Sequence, residues 1–273
     1  MNEPFRNRTF MLGVSIVSII TVVALVGKYF APHDPLAIDL LHRFSGPTLQ
    51  FPFGTDHLGR CLLSRLLYAA PLSLGISIFC VLMVTTIGVC LGVASGISES
   101  IDTLIMRVTD IFLAFPAMIL CLAIIGALGP SLLSAVIGIC ASWWPVYARL
   151  VRSIVLSARK REFVQVAQVS GVGHGTMLIE YILPQLVPPL AVMVSLEIST
   201  LLLTLSALSF LGLGVQPPTA EWGVMLNEAR PYFVTAPHIM WVCGGVLSFC
   251  VLGFNLVGEG LRDILNVRQM GDY

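Results

Sequence analysis

Residues 161–184 read REFVQVAQVSGVGHGTMLIEYILP and lie between two of the most apolar runs of the chain. The stretch is too polar to cross a membrane and too regular for an ordinary loop. Phe163, Val166 and Ala167 recur at the spacing that places side chains on one face of a helix. This spacing predicts a short amphipathic helix between two membrane spans.

Gly171 and Gly173 mark the end of this helix, because glycine readily adopts the left-handed conformation of a helix cap. The run MLIEYIL then predicts a second short helix that ends at Pro184. Two interpretations of the first helix remain open. Either it rests on the membrane surface, which the basic cluster 159–161 favours, or it inserts into a groove on a soluble partner.

The composition identifies the class of protein. Of 273 residues, 56% are hydrophobic and only 11% are charged, whereas a soluble domain carries about 25% charged residues. Such a chain cannot cover a surface exposed to water, so its surroundings are a lipid bilayer. The net charge is zero, which excludes the basic surface that binding to nucleic acid requires.

The seven cysteines give no sign of a metal centre. None forms a CxxC pair or a Cys/His set with zinc-finger spacing, and six of them lie inside apolar runs. We interpret them as small buried apolar side chains. The sequence therefore assigns no metal ligand, and we expect no cofactor bound by this chain itself.

Six segments are apolar and long enough to cross a bilayer as helices of about 20 residues. The first is a retained anchor, since its apolar run exceeds the roughly 7–15 residues of a signal-peptide core and no A-x-A site follows it. Two thirds of the 15 Lys and Arg residues fall on the side of the N-terminus, which places both termini and residues 161–184 in the cytoplasm. The predicted spans are 10–29, 72–96, 104–127, 131–151, 187–208 and 239–257.

Residues 161–184 resemble the EAA…G…I-LP loop of ABC-importer permeases. The triplet corresponds to residues 165–167, the glycine to Gly171, the isoleucine to Tyr181 and the Leu-Pro pair to 183–184. Two triplet positions and the isoleucine position differ from the family pattern, and the spacing from glycine to Leu-Pro is kept. In that family the first short helix fits a cleft on the ATP-binding subunit, so the resemblance implies a coupling loop. Its candidate residues are Glu162, Phe163, Gln165, Val166, Ala167, Gly171, His174, Leu183 and Pro184.

Other stretches resemble one branch of these permeases, the dipeptide, oligopeptide and nickel importers. The match is to the second, shorter permease of the pair, and it implies an all-α membrane protein of about six transmembrane helices with the type-1 ABC-importer permease fold. It also implies an anchor helix and extracytoplasmic segment at 1–67, a permease domain at 68–262 and a cytoplasmic tail at 263–273. The stretches are FGTDHLGRCLLSRLLYAAPLSL at 53–74, MRVTDIFLAFP at 106–116, YARLVRS at 147–153, LSFLGLGVQPPTAEWGVML at 208–226 and FNLVGEGLRD at 254–263.

The resemblance implies the partners as well. These are a second permease subunit in a heterodimer, two ATP-binding subunits and an extracytoplasmic substrate-binding protein, at a bacterial inner membrane. The sequence contains no G-x-x-x-x-G-K-[ST] loop, so ATP and Mg are expected on the partner ATPase and this chain is not expected to be an enzyme. Alternating access would then be a shift between two packings of the spans. The closed state of the partner ATPase would favour one packing and its open state the other.

Two stretches, PPTAEWGVMLNEARPY and ASWWPVYARLVRS, resemble the nickel-transport permeases within this branch. They favour nickel or a nickel chelate as cargo. A dipeptide or oligopeptide cargo is the alternative, and a channel or secondary transporter is the alternative from another class of protein. The latter would show paired polar spans or inverted repeats, and neither is visible in the sequence.

Glu197 is the acidic residue of the fifth span, and an ionisable side chain within a span is a functional candidate. Thr200 and Thr204 follow on the same helix face, so we predict that all three line the translocation path. A structural hydrogen bond to a neighbouring helix is the alternative for Glu197. At the inner end of the third span, Arg107 and Asp110 are one turn apart, which predicts a salt bridge.

The outer segment 212–237 is amphipathic and long for a connection. The resemblance favours contact with the substrate-binding protein, against a re-entrant lid that contacts no partner. His33 and His57 each stand beside an aspartate, but the GTDHLGR stretch around His57 also occurs in peptide importers, which disfavours metal ligation. The candidates for contact with the binding protein are Glu221, Trp222, Glu228 and Arg230.

Overall fold

The computed structural model describes residues 7–97 and 99–270, without the side chains of Glu99, His174 and 266–270. Its regular elements are helices, which confirms the predicted all-α class. They are α1 Arg8–Val26, α2 Leu62–Ile97, α3 Glu99–Leu113, α4 Ala117–Leu128, α5 Leu132–Arg159, α6 Glu162–Val169, α7 His174–Thr176, α8 Leu183–Phe210, α9 Trp222–Ala229 and α10 Pro237–Met270.

Five helices of the described chain are long and apolar enough to cross a membrane, namely α1, α2, α5, α8 and α10. They agree with five of the six predicted spans, although three of them extend well beyond the predicted ends, including α10, which runs past the predicted end at residue 257 to Met270. α2 begins at Leu62, ahead of the predicted start at residue 72, and α5 runs to Arg159, beyond the predicted end at residue 151. A π-helical turn, Met177–Ile182, leads directly into α8.

The sixth predicted span, at 104–127, is a bent pair of helices and not one helix. α3 and α4 meet at 86° across residues 114–116. Pro116 has no backbone N–H and restricts Phe115 to extended conformations, so α3 ends before it. α4 has 12 residues; at about 18 Å it is too short to cross a hydrocarbon layer of about 30 Å alone.

Two salt bridges fix α3 across α5. Asp102 pairs with Arg152, whose Nη2 lies 2.6 Å from the carboxylate. Asp110 pairs with Arg149 at 2.5 Å, so the predicted pair of Asp110 with Arg107 is wrong because α5 supplies the partner. The two aspartates lie about 12 Å apart along α3 and the two arginines only about 4.5 Å apart along α5, so the helices cross steeply.

A stripe of glycines brings α2 into backbone contact with α5. Gly88, Gly92 and Gly96 recur every fourth residue and face α5. A Cβ atom on Gly92 would lie 2.7 Å from Val151 Cβ, and one on Gly96 would lie 2.5 Å from Val155 Cγ1. Small residues at this spacing allow two membrane helices to approach closely.

The ends of several helices meet on one side of the bundle. A Cβ atom on Gly260 would lie 2.6 Å from Phe10 Cα, so the start of α1 contacts the later part of α10. At the end of α5, Arg159 donates to the carbonyl of Gly96 at 2.8 Å. These ends and α6 form what we call the α6 side, and α9 with residues 31–61 forms the opposite α9 side.

Candidate functional site

One stripe of α6 fastens this helix to the rest of the chain. Val164 and Ala167 are buried and pack in one apolar cluster with Met177 and Ile182 of the π turn and with Val155 of α5. The structure therefore confirms a short helix in this segment and places Ala167 on its inner stripe. α6 has little freedom to move without α5 and the start of α8.

The other stripe of α6 faces outward. Phe163, Val166 and Val169 are 48%, 65% and 90% exposed. The predicted face of Phe163, Val166 and Ala167 is thus divided, since Ala167 points inward and the other two point outward. Tyr181 stacks beside the ring of Phe163, with 6.4 Å between the centroids, and the rest of this apolar surface of α6 lies open among the described residues.

Gly171 ends α6 as predicted. Its φ is +81°, a conformation that side chains with a Cβ atom rarely adopt. The amide of Val172 donates to the carbonyl of Ala167 at 3.1 Å, which satisfies one of the last carbonyls of the helix. A Cβ atom on Gly171 would meet nothing within 4 Å, so the requirement for glycine is conformational and not steric.

The predicted second short helix is not separate. The π turn continues into α8 without a break, because Pro184 lies in the first turn of α8, where a missing N–H is tolerated. Leu183 is partly exposed beside it. Glu162 opens α6, and Gln165 bonds to the carbonyl of Lys160 at 3.4 Å. The side chain of His174, also predicted in this loop, lies outside the described residues.

Glu197 lies on α8, half-buried, and its carboxylate is hydrogen-bonded to Trp143 of α5. Tyr147, one turn further along α5, is fully buried. The hydroxyl of Thr204 instead bonds back to the carbonyl of Thr200 at 2.8 Å. The structure therefore brings Glu197 of α8 next to Trp143 of α5, two residues whose proximity the sequence does not reveal.

On the α9 side, Glu221 and Trp222 are fully buried. Glu221 caps α9, since its carboxylate accepts from the amide of Val224 at 3.0 Å and from the hydroxyl of Ser73 at 3.2 Å. The indole of Trp222 donates to the carbonyl of Leu66 at 3.4 Å. Neither side chain has a surface with which to touch a binding protein in this conformation, so both have a structural role where the sequence had predicted a contact.

Glu228 belongs to a buried ion cluster with Asp56, Arg60 and Arg65. Arg65 Nη1 lies 2.6 Å from both carboxylates, and Arg60 lies 2.6 Å from Asp56 and 2.9 Å from Glu228. Burial alone would raise the pKa of Asp56, but the two arginines and two backbone amides hold it below its usual range. The ion cluster has two positive and two negative charges, and it ties α9 to the start of α2.

His57 stands beside the ion cluster, and its ring nitrogen, with carboxylate oxygens of Asp56 and Glu228, forms a group within 4.8 Å. A divalent cation prefers such ligands. Both carboxylates, however, already accept hydrogen bonds from the guanidinium groups of Arg60 and Arg65, which would repel a cation at close range. The group does not fit a metal ion.

Arg230 is the one exposed residue among the four predicted contacts. Its guanidinium lies over the ring of Phe210, 5.7 Å from the centroid. Phe233 and Val234, which follow it, are 50% and 94% exposed. The sequence pattern does not distinguish these two residues from the rest of the amphipathic segment 212–237.

Comparison with protein families gives two matches. Residues 85–270 match the family described as binding-protein-dependent transport system inner membrane component. Residues 5–47 match the N-terminal TM domain of oligopeptide transport permease C.

Three curated proteins are similar over nearly the whole chain. The nickel transport system permease protein NikC of Escherichia coli (strain K12) is 43% identical over 93% of this chain and 92% of its own length. The dipeptide transport system permease protein DppC of Alkalihalophilus pseudofirmus is 37% identical over 97% and 87%. The glutathione transport system permease protein GsiD of Escherichia coli O6:K15:H31 is 38% identical over 97% and 88%.

Solved structures of the MetNI methionine ABC transporter share the fold. One chain superposes with a TM-score of 0.57 over 70% of this chain and 92% of its own length, at 17% identity. Another, from a second crystal form, gives a TM-score of 0.60 over 73% and 96%, also at 17% identity.

Proposed function

Because this chain belongs to the family of binding-protein-dependent transport system inner membrane components, we propose that it is the permease subunit of an ATP-driven importer for nickel or a nickel chelate. Membership of this family rules against a self-sufficient channel or secondary transporter. The observation that carries the mechanism is the exposed apolar stripe of α6. The nickel assignment rests on the similarity to a nickel permease over almost the full length of both chains.

In this proposal the α6 side is cytoplasmic, and both termini lie there. α6 enters a cleft on an ATP-binding subunit, with Phe163, Val166 and Val169 as the buried contacts. ATP and Mg stay on the two ATP-binding subunits. The inner stripe of α6 then passes the movement of the partner to α5 and α8, since Val164 and Ala167 already pack against them.

The other partners follow from the same assignment. A second permease subunit pairs with this chain in the bacterial inner membrane, and Glu197 lines the path between them. On the outer face, an extracytoplasmic substrate-binding protein meets Arg230 and Val234, which are exposed where Glu221 and Trp222 are not.

A peptide cargo is the second candidate function. It is supported by relatives named for dipeptide and glutathione transport, at 37% and 38% identity over 97% of this chain. Whole-cell nickel content and dipeptide uptake, measured in parallel in a deletion strain under metal limitation, separate the two. Loss of nickel alone supports the first, and loss of peptide uptake alone means the permease carries a different cargo.

The test of the coupling step is the affinity of the ATP-binding subunit for the reconstituted permease. Val166→Ala removes the equivalent of about two methylene groups, at about 0.8 kcal/mol each, so the affinity should fall about 15-fold. Val166→Asp should abolish binding, since it would bury a charge. Val234→Asp is the control, because it makes the same substitution at an exposed valine on the α9 side. Undiminished binding by Val166→Asp would refute the coupling role of this stripe.

A further inference from the structure

A cavity of about 570 Å³ opens on the α6 side between the ends of α5, α8 and α10. Its walls are mainly apolar, and its polar groups include two arginines, Arg161 just before α6 and Arg262 on α10. Its apolar wall consists of Leu150, Ile154, Ala158, Pro188, Pro189, Val192, Met193, Leu196 and Leu265.

The two arginines differ from Arg149 and Arg152 of α5 in having no acidic partner among the described residues. Arg149 and Arg152 form salt bridges with α3, and Arg159 donates to backbone carbonyls of α2. Within the part of the chain that the structure describes, neither Arg161 nor Arg262 lies within 4.0 Å of a carboxylate. Two exposed guanidinium groups therefore face one cavity without a counter-charge.

The chemistry of the cavity fits an amphiphile with an anionic head. Basic pockets between membrane helices on the cytoplasmic side bind lipid headgroups, and an acyl chain gains free energy along an apolar wall. A bare divalent cation would be repelled by the arginines, and a small polar chelate would gain nothing from the wall. A phospholipid matches both the arginines, through its phosphate, and the apolar wall, through its acyl chains.

We propose that this cavity binds an anionic phospholipid, whose phosphate is held by Arg161 and Arg262 and whose acyl chain lies along Val192 and Leu196. The proposal rests on the proposed function only in taking the α6 side as cytoplasmic. Because Arg161 immediately precedes α6 and Arg262 lies on α10, the bound headgroup links the coupling helix to the last span. The lipid therefore affects how the ATPase is coupled to the permease.

The experiment uses the purified complex in nanodiscs of phosphatidylcholine with or without phosphatidylglycerol. The measurements are lipid retained on purification, by mass spectrometry, and cargo-stimulated ATPase activity. The wild-type complex should retain phosphatidylglycerol preferentially and be stimulated by it. The double variant Arg161→Gln/Arg262→Gln should bind it about 30-fold more weakly, at about a fivefold loss for each charge removed near the headgroup. Lys160→Gln is the matched control, since it removes a neighbouring positive charge that does not line the cavity.

Three outcomes would overturn the proposal. One is equal retention of phosphatidylglycerol by the double variant and the wild type. Another is stimulation by soluble glycerol phosphate as strong as by phosphatidylglycerol, which would make the site one for a free anion. The last is a changed affinity for nickel chelate that is independent of lipid, which would assign the cavity to the translocation path. Normal nickel uptake by the wild-type complex in sealed proteoliposomes of the same lipids shows that the proposed function stands whichever result is found.

Discussion

Replacing Arg65 and Glu228, first singly and then together, tests whether the ion cluster holds α9 against α2. Arg65 is 1% exposed and the side chain of Glu228 is 13% exposed, and their charged atoms lie 2.6 Å apart. Arg65→Met or Glu228→Gln alone leaves three charges of the four. The double variant leaves Arg60 with Asp56, a balanced pair at 2.6 Å.

The magnitudes follow from this balance. Removing one partner of a buried ion pair leaves an uncompensated charge and costs about 3–5 kcal/mol. At roughly 2–4 °C per kcal/mol for a chain of this size, each single variant should unfold about 6–20 °C below the wild type. The double variant should lose about 2–3 kcal/mol less than the sum of the two single losses, since residues in one network are strongly coupled.

The assay is thermal unfolding of the purified chain in detergent, followed by tryptophan fluorescence. Lys28→Met is the control, since Lys28 is an exposed charge on the same side of the bundle and its loss should change stability by no more than about 0.5 kcal/mol. Strictly additive losses in the double variant would refute the reasoning. They would mean that Arg65 and Glu228 stabilise the fold independently of each other.

Three further outcomes are expected. Gly92→Ala should lower the unfolding temperature, because the new methyl group would lie 2.7 Å from Val151 Cβ and overpacking costs about 1–3 kcal/mol. Gly75→Ala on the same helix meets nothing within 4 Å and should leave stability equal or raise it by up to about 1 kcal/mol, so equal losses in both variants contradict the close packing of α2 on α5. Burial lowers the pKa of His57 below its usual 6.5, so the unfolded chain binds this proton more readily and stability falls as the pH drops from 6.5 through the lower folded pKa. His57→Phe should flatten that part of the plot of unfolding temperature against pH, whereas an unchanged slope means that another group titrates there. Glu197→Ala should reduce nickel uptake while the ATPase subunit still co-purifies, and Glu197→Gln separates the need for a charge from the need for a hydrogen bond; normal uptake in both leaves Glu197 with a structural role only.

Hydropathy predicted five of the six spans, and their order, because each apolar run must match the thickness of the bilayer. It did not predict the bend between α3 and α4. A sliding average of hydropathy carries no information on the direction of the helix axis. Residues 114–116 are as apolar as the residues of a straight membrane helix. The signal was nevertheless present, since a proline inside an apolar run removes one hydrogen bond and restricts the residue before it.

Which face of α6 is buried and which is exposed could not be predicted from the sequence, for a different reason. Five of the eight residues from Glu162 to Val169 are apolar, so both stripes of the helix are fit for burial. The chain itself uses the stripe of Val164 and Ala167. Periodicity finds a helix with apolar stripes, but only the folded chain shows which stripe is left for another protein.

The ion cluster was beyond prediction because its members are far apart in sequence. Arg65 and Glu228 are separated by 163 positions, and no local pattern links them. The sequence therefore predicted an exposed position for Glu228 on an amphipathic segment. Once α9 folds back on α2, the same carboxylate becomes the counter-charge of two buried arginines.

In the proposed mechanism, a movement of the ATP-binding subunit would reach Glu197 from α6 along α8. Leu183 and Glu197 are 14 residues apart on one helix, a distance of about 21 Å. Pro188 and Pro189 lie on this route and remove two backbone hydrogen bonds, so α8 is weakest there. Both prolines also line the cavity beside Arg161. A lipid bound there, as we propose, would support α8 at the point where it would otherwise bend, so that more of a displacement of α6 would reach Glu197.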